Sequence, residues 1–164
     1  MQRRRRGLAI SLVVLLLGIG YVIYVIQTQD QEQDQGPGFL QATGPEVIEL
    51  GERVYADNCA ACHGADLKGE PGFDWRRKKP DGTFPAPPHD ETGHTWHHAD
   101  TLLFAYTTNG GQALLGDTGV SGMPAFADVL TVQEIEAVLI YIKNSWPESI
   151  RDRQRLITET AREN

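Results

Sequence analysis

The segment Cys59-Ala60-Ala61-Cys62-His63 constrains this chain more than any other feature. Two thiols three positions apart, followed at once by an imidazole, form the C-x-x-C-H pattern of covalent haem attachment. The spacing has a physical reason. Thiols on one turn reach the two vinyl groups of a porphyrin edge as thioethers, and the adjacent imidazole points at the iron as proximal ligand. Ala60 and Ala61 are small and leave the approach of the ring open. A redox dithiol would also use C-x-x-C, but in a strand–helix context, and here a helical pattern precedes the motif. A zinc site would need two more ligands, and the chain has only these two cysteines. The expectation is one haem c, held by Cys59 and Cys62 and ligated by His63.

The rest of the chain reads as helices joined by irregular segments. Pro45 suits the first turn of a helix, and Val47, Leu50, Val54 and Tyr55 follow at helical spacing up to Asp57. Residues 64–98 carry five prolines, at 71, 80, 85, 87 and 88, too many for regular structure. So long a loop needs a function or something to wrap around. A short helix fits Asp100–Thr108, and 109–122 reads as a Gly-rich loop. Thr131 with Glu134 three residues on forms a capping box for a helix whose apolar stripe is Ile135, Val138, Leu139 and Ile142. Trp146-Pro147 ends it. Residues 148–164 form a highly charged tail, expected as an exposed helix or a frayed end. No internal repeat is visible. The expected class is all-α.

Between about Pro45 and Pro147 the sequence resembles the class I c-type cytochromes. The resemblance rests on Gly51 and Tyr55 upstream of the haem motif, on Gly122-Met123-Pro124-Ala125-Phe126 downstream, and on the capped helix with Tyr141. It implies a small all-helical fold around one haem. It also implies that an aromatic of the last helix crosses the first helix at a glycine, for which Tyr141 and Gly51 are the candidates. Met123 is the candidate second axial ligand. Apart from Met1 it is the only methionine, and it sits in a loop between Gly122 and Pro124 rather than on an apolar helical stripe. A His/Met pair raises the potential relative to His/His. His89, His94, His97 and His98, all within PPHDETGHTWHH, are the alternative source of that ligand. They also leave open a copper-handling reading, since imidazole suits copper, or simple hydrogen bonding to propionates and backbone. Arg76-Arg77-Lys78-Lys79 is the one basic run near the haem motif, and it reads as a solvated loop, a propionate partner or a docking patch.

Residues 7–26 hold no charge and follow Arg3–Arg6 directly. Twenty apolar residues in a helix span ~30 Å, the hydrocarbon core of a bilayer. The arginines place the N-terminus in the cytoplasm and the haem domain on the periplasmic side of a bacterial membrane. A cleaved signal peptide is the competing reading, disfavoured by the length of the run and by Gln27-Thr28-Gln29, which offers no small-x-small site. Residues 27–44 read as a flexible linker spanning ~23 Å. Without the four arginines the chain holds 11 Lys and Arg against 22 Asp and Glu, which excludes generic nucleic-acid binding. The expected organisation is anchor 1–26, linker 27–44, cytochrome domain 45–147 and tail 148–164. The expected role is electron transfer, not enzymatic catalysis, between membrane redox complexes, with a haem enzyme or gas sensor of open iron site as the rival.

Overall fold

Pro45 opens α1 (Pro45–Asn58), where its missing N–H costs nothing because the first N–H groups of a helix have no internal acceptor. The computed structural model describes residues 44–163, and every element in them is helical or irregular. The apolar run 7–26 and nearly all of the linker lie outside the described residues. Among the described residues no helix is long and apolar enough to cross a membrane. A single turn, α2 (Ala60–His63), follows α1 after a break at Cys59. A 3-10 turn at Thr95–His97 leads into α3 (Asp100–Asn109), and α4 (Gly111–Leu115) comes after a kink at Gly110. The expected Gly-rich loop over 109–122 is therefore partly ordered as α4 and a further 3-10 turn, Gly116–Thr118. Gln112 accounts for this: its amide donates to the Gly116 and Gly119 carbonyls and its carbonyl accepts from the Ser121 N–H.

The capping box forms as expected at the start of α5 (Val132–Asn144). The Glu134 carboxylate accepts from the Thr131 N–H at 2.8 Å, and Thr131 Oγ1 accepts from the Glu134 N–H at 3.3 Å. Ile135, Val138, Leu139 and Ile142 of the expected stripe are all buried. They pack against α1, and the crossing depends on Gly51. A Cβ placed there would lie 2.1 Å from the Ala137 carbonyl oxygen and 2.7 Å from Tyr141 Cβ. Only a residue without a side chain lets the two backbones approach this closely. Beside the crossing the Tyr55 and Tyr141 rings sit 5.5 Å apart.

The charged tail is a helix, α6 (Glu148–Glu163), tied in by Ile150 against the core and by a set of polar contacts. Gln154 is fully buried and donates to the His98 carbonyl and to Asp100 Oδ1. Thr158 Oγ1 accepts the Asp100 N–H, serving the otherwise unpaired first turn of α3 from 58 residues away. Lys143 of α5 completes the knot with bonds of 2.7 and 2.9 Å to the Asp100 carboxylate. These four side chains join α3, α5 and α6 around the 3-10 turn.

Candidate haem-binding site

The break at Cys59 folds the motif into one tight turn. The Cys62 and His63 N–H groups both donate to the Cys59 carbonyl, at 3.1 and 2.9 Å. Both thiols are free, with Cys59 partly buried and Cys62 exposed. Before haem is attached, burial and the neighbouring Cys62 push the Cys59 thiol up to about 11. Tyr55, one turn back on α1, spans the motif from beneath. Its hydroxyl donates to the Gly64 carbonyl at 2.9 Å and reaches the His63 carbonyl at 3.3 Å. Desolvation, then the nearby Cys59, hold the phenol above its ordinary range, so it remains a donor.

His63 is buried, and its Nδ1 lies 2.9 Å from the Pro87 carbonyl oxygen. A carbonyl only accepts, so Nδ1 carries the proton and Nε2 keeps its lone pair. Burial lowers the pKa of the ring, opposed by the Pro87 hydrogen bond and by the charge of Glu70. The outcome is a neutral imidazole of fixed tautomer, the form that ligates a metal. Two unbridged thiols and such an imidazole on one turn fit a covalently attached haem.

The proline-rich segment 64–98 wraps this imidazole, which is the purpose its length called for. The Gly69 N–H donates to the His63 carbonyl at 2.8 Å, and Glu70 and Ala86 pair across the base of the loop. Gly69 has φ +84°, and a Cβ there would meet the Ala86 carbonyl oxygen at 2.8 Å and the Pro88 nitrogen at 2.9 Å. The His89 ring stacks on the His63 ring with centroids 4.0 Å apart. Trp146, buried at the end of α5, donates its indole N–H to the His89 carbonyl and so pins the returning end of the loop.

Met123 lies in the loop that precedes α5. The Gly111 N–H donates to the Met123 carbonyl at 3.1 Å, and the Met123 N–H donates to Ser121 Oγ at 3.2 Å, so the loop is pinned to the start of α4. The four downstream histidines are spread over separate tasks. His89 stacks on His63 and bonds Thr95 Oγ1, while His94 stacks on Trp75 with His98 edge-on to it. His97 stacks on Trp96. Among the described residues no three His, Cys, Asp or Glu side chains gather as a metal site. The basic run is likewise divided. Lys79 pairs with Glu70, whereas Arg76 lies over the Trp75 ring and near Asp74.

The Pro87 carbonyl, the Tyr55 hydroxyl and the Glu70–Lys79 pair escape a reading of the sequence alone. Pro87 lies 24 residues from His63, and it acts through a backbone atom that no residue type announces.

A turn that can bond a porphyrin at its edge while aiming one imidazole at its face defines the c-type cytochromes as a class. The chain belongs to the cytochrome c family, whose family model matches residues 48–146. It carries covalently bound haem c, the redox group of that family. Among curated proteins, the cbb3-type cytochrome c oxidase subunit CcoP of Rubrivivax gelatinosus is 53% identical over 32 residues, 20% of this chain and 10% of that protein. The cbb3-type oxidase subunit FixP of Sinorhizobium medicae (strain WSM419) is 64% identical over 25 residues, 15% of this chain and 9% of that protein. FixP of Rhizobium meliloti (strain 1021) is 60% identical over a stretch of the same length. The chain thus spans about a tenth of the length of these relatives. No solved structure matches it.

Proposed function

We propose that this chain is a membrane-tethered monohaem cytochrome c that relays single electrons between redox partners of a membrane respiratory complex on the extracytoplasmic face. The observation that carries the reading is the His63 imidazole, neutral and turned by the Pro87 carbonyl so that Nε2 keeps its lone pair. In this reading Cys59 and Cys62 would hold the haem by thioethers, and His63 and Met123 would supply the ligands to its iron. The haem supplies the one-electron couple. The chain's own work is to bond, orient and bury it. Residues 1–26 carry the anchor, 27–44 form the linker, 45–147 the cytochrome domain and 148–164 a charged tail. The matches to oxidase subunits support a partner of that membrane-bound, respiratory type, and tethering would raise its effective concentration.

Saturated His/Met ligation separates an electron carrier from an enzyme or sensor with an open iron. The ferric protein is expected to show the weak far-red sulfur-to-iron band that the family resemblance implies. Met123→Ala should abolish that band, lower the potential and admit carbon monoxide, while substitutions of His94, His97 or His98 should leave the band in place. Loss of the band in a histidine variant and its retention in Met123→Ala would establish bis-histidine ligation instead. Ready binding of carbon monoxide by the wild-type ferrous protein would favour the sensor or enzyme.

A further inference from the structure

The loop that presents Pro87 to His63 is closed by one carboxylate. Glu70 donates its backbone N–H to the Ala86 carbonyl at 2.9 Å, and its side-chain Oε2 accepts the Ala86 N–H at 3.1 Å. Residue 86 is thereby held on both its polar atoms, immediately before the carbonyl that His63 uses. The carboxylate is itself braced: Lys79 Nζ lies 3.2 Å from each of its oxygens. Lys79 is positioned in turn by a turn of its own, its N–H donating to the Thr83 carbonyl at 2.8 Å and its carbonyl accepting from Gly82 at 2.9 Å. Both charged side chains are about three-quarters buried, at 23% and 26% exposure, so this pair is more than a solvated surface contact. Downstream of Pro87 the His89 N–H donates to the Leu67 carbonyl at 2.7 Å, so Glu70 holds the upstream flank of the same carbonyl.

We propose that Glu70, braced by Lys79, is a positioning residue for the iron-ligating imidazole. It clamps Ala86 so that the Pro87 carbonyl stays on His63 Nδ1, and through that hydrogen bond it sets the reduction potential. The inference rests on His63 being the proximal ligand. A strong Nδ1–H···O=C bond raises the basicity of the ligand and favours the ferric state, so loosening the clamp shifts the potential upward. Glu70 and Lys79 carry opposite charges, and this makes the idea separable from simple electrostatics. As bare charges, loss of Glu70 would raise the potential and loss of Lys79 would lower it. As parts of one clamp, both losses raise it.

The test uses the full-length haem-loaded protein. Hydrogen exchange of the His63 Nδ1–H in the diamagnetic ferrous state and the midpoint potential are measured for wild type, Glu70→Ala, Lys79→Gln and Lys79→Arg. The expected result is exchange accelerated about tenfold in Glu70→Ala and Lys79→Gln, with both potentials shifted upward and Lys79→Arg close to wild type. Unchanged exchange, with the two potentials moving in opposite directions, would overturn the clamp while leaving His63 ligation intact. A wild-type ferrous spectrum without histidine ligation would overturn the ligand reading and the clamp with it. Should Glu70→Ala fail to retain haem, the partly exposed Lys79 pair of variants still decides the matter.

Discussion

Tyr55 shows how much one side chain does at this site. Its ring is 2% exposed and packs beside Tyr141, while its hydroxyl serves the carbonyls at the end of the haem turn. Those carbonyls belong to His63 and Gly64, so the phenol bears directly on the residue next to the iron's expected ligand. Tyr55→Phe keeps the ring and removes the donor, leaving the Gly64 and His63 carbonyls only their backbone donors, Leu67 and Gly69. The expected cost is about 1–2 kcal/mol, read as a lower urea midpoint at unchanged slope. The same variant should retain covalent haem, because neither thiol nor imidazole is touched.

At the scale of elements, the crossing of α1 and α5 is the joint on which the domain depends. It brings the end of α1, and with it the haem turn, onto the most buried face of α5. Gly51→Ala would place a methyl 2.1 Å from a backbone oxygen and 2.7 Å from the Ala137 carbonyl carbon, and backbone cannot swing aside as a flexible side chain can. The helices must separate along their length. We expect a loss of about 3 kcal/mol or more, seen as a large fall in thermal midpoint and weaker haem retention. A mild effect would mean that the crossing is looser than described. The proline-rich loop is the second decisive element. It has almost no regular secondary structure, and its order comes from the Gly69, Glu70 and Trp146 contacts made at its base and its return.

For the whole molecule, the histidine-rich segment makes stability depend on pH in a direction that can be worked out. Burial lowers the pKa of His94 and of His98 from the ordinary value of 6.5, with neighbouring histidines adding to the effect. A lowered histidine pKa in the folded state means that the unfolded chain takes up the proton first as pH falls. The stabilisation is complete above pH 6.5 and is lost progressively below it, down to the folded-state values. Urea midpoints measured between about pH 8 and pH 5 should therefore fall, and His94→Gln should flatten that fall. A variant with the same pH slope as wild type would show that other groups govern the acid limb.

The local chemistry of this protein is legible without coordinates because it depends on neighbours in sequence. Cys59, Cys62 and His63 lie within one turn, and the Thr131–Glu134 capping box and the apolar stripe of α5 follow from spacing alone. Gly51 and Tyr141 could be paired in advance through the family resemblance, and the structure puts them in contact. The tail could be expected to be helical but not where it docks, since beside Ile150 its buried anchors are Gln154 and Thr158, polar residues whose partners lie far away in sequence. The orientation of His63 was decided only by tertiary structure. A carbonyl 24 residues away fixes its tautomer, and a carboxylate 16 residues from Ala86 holds that stretch of backbone in place. Such partners are backbone atoms or single charges brought near by an irregular loop, and no residue pattern along the chain encodes a distance that only folding creates.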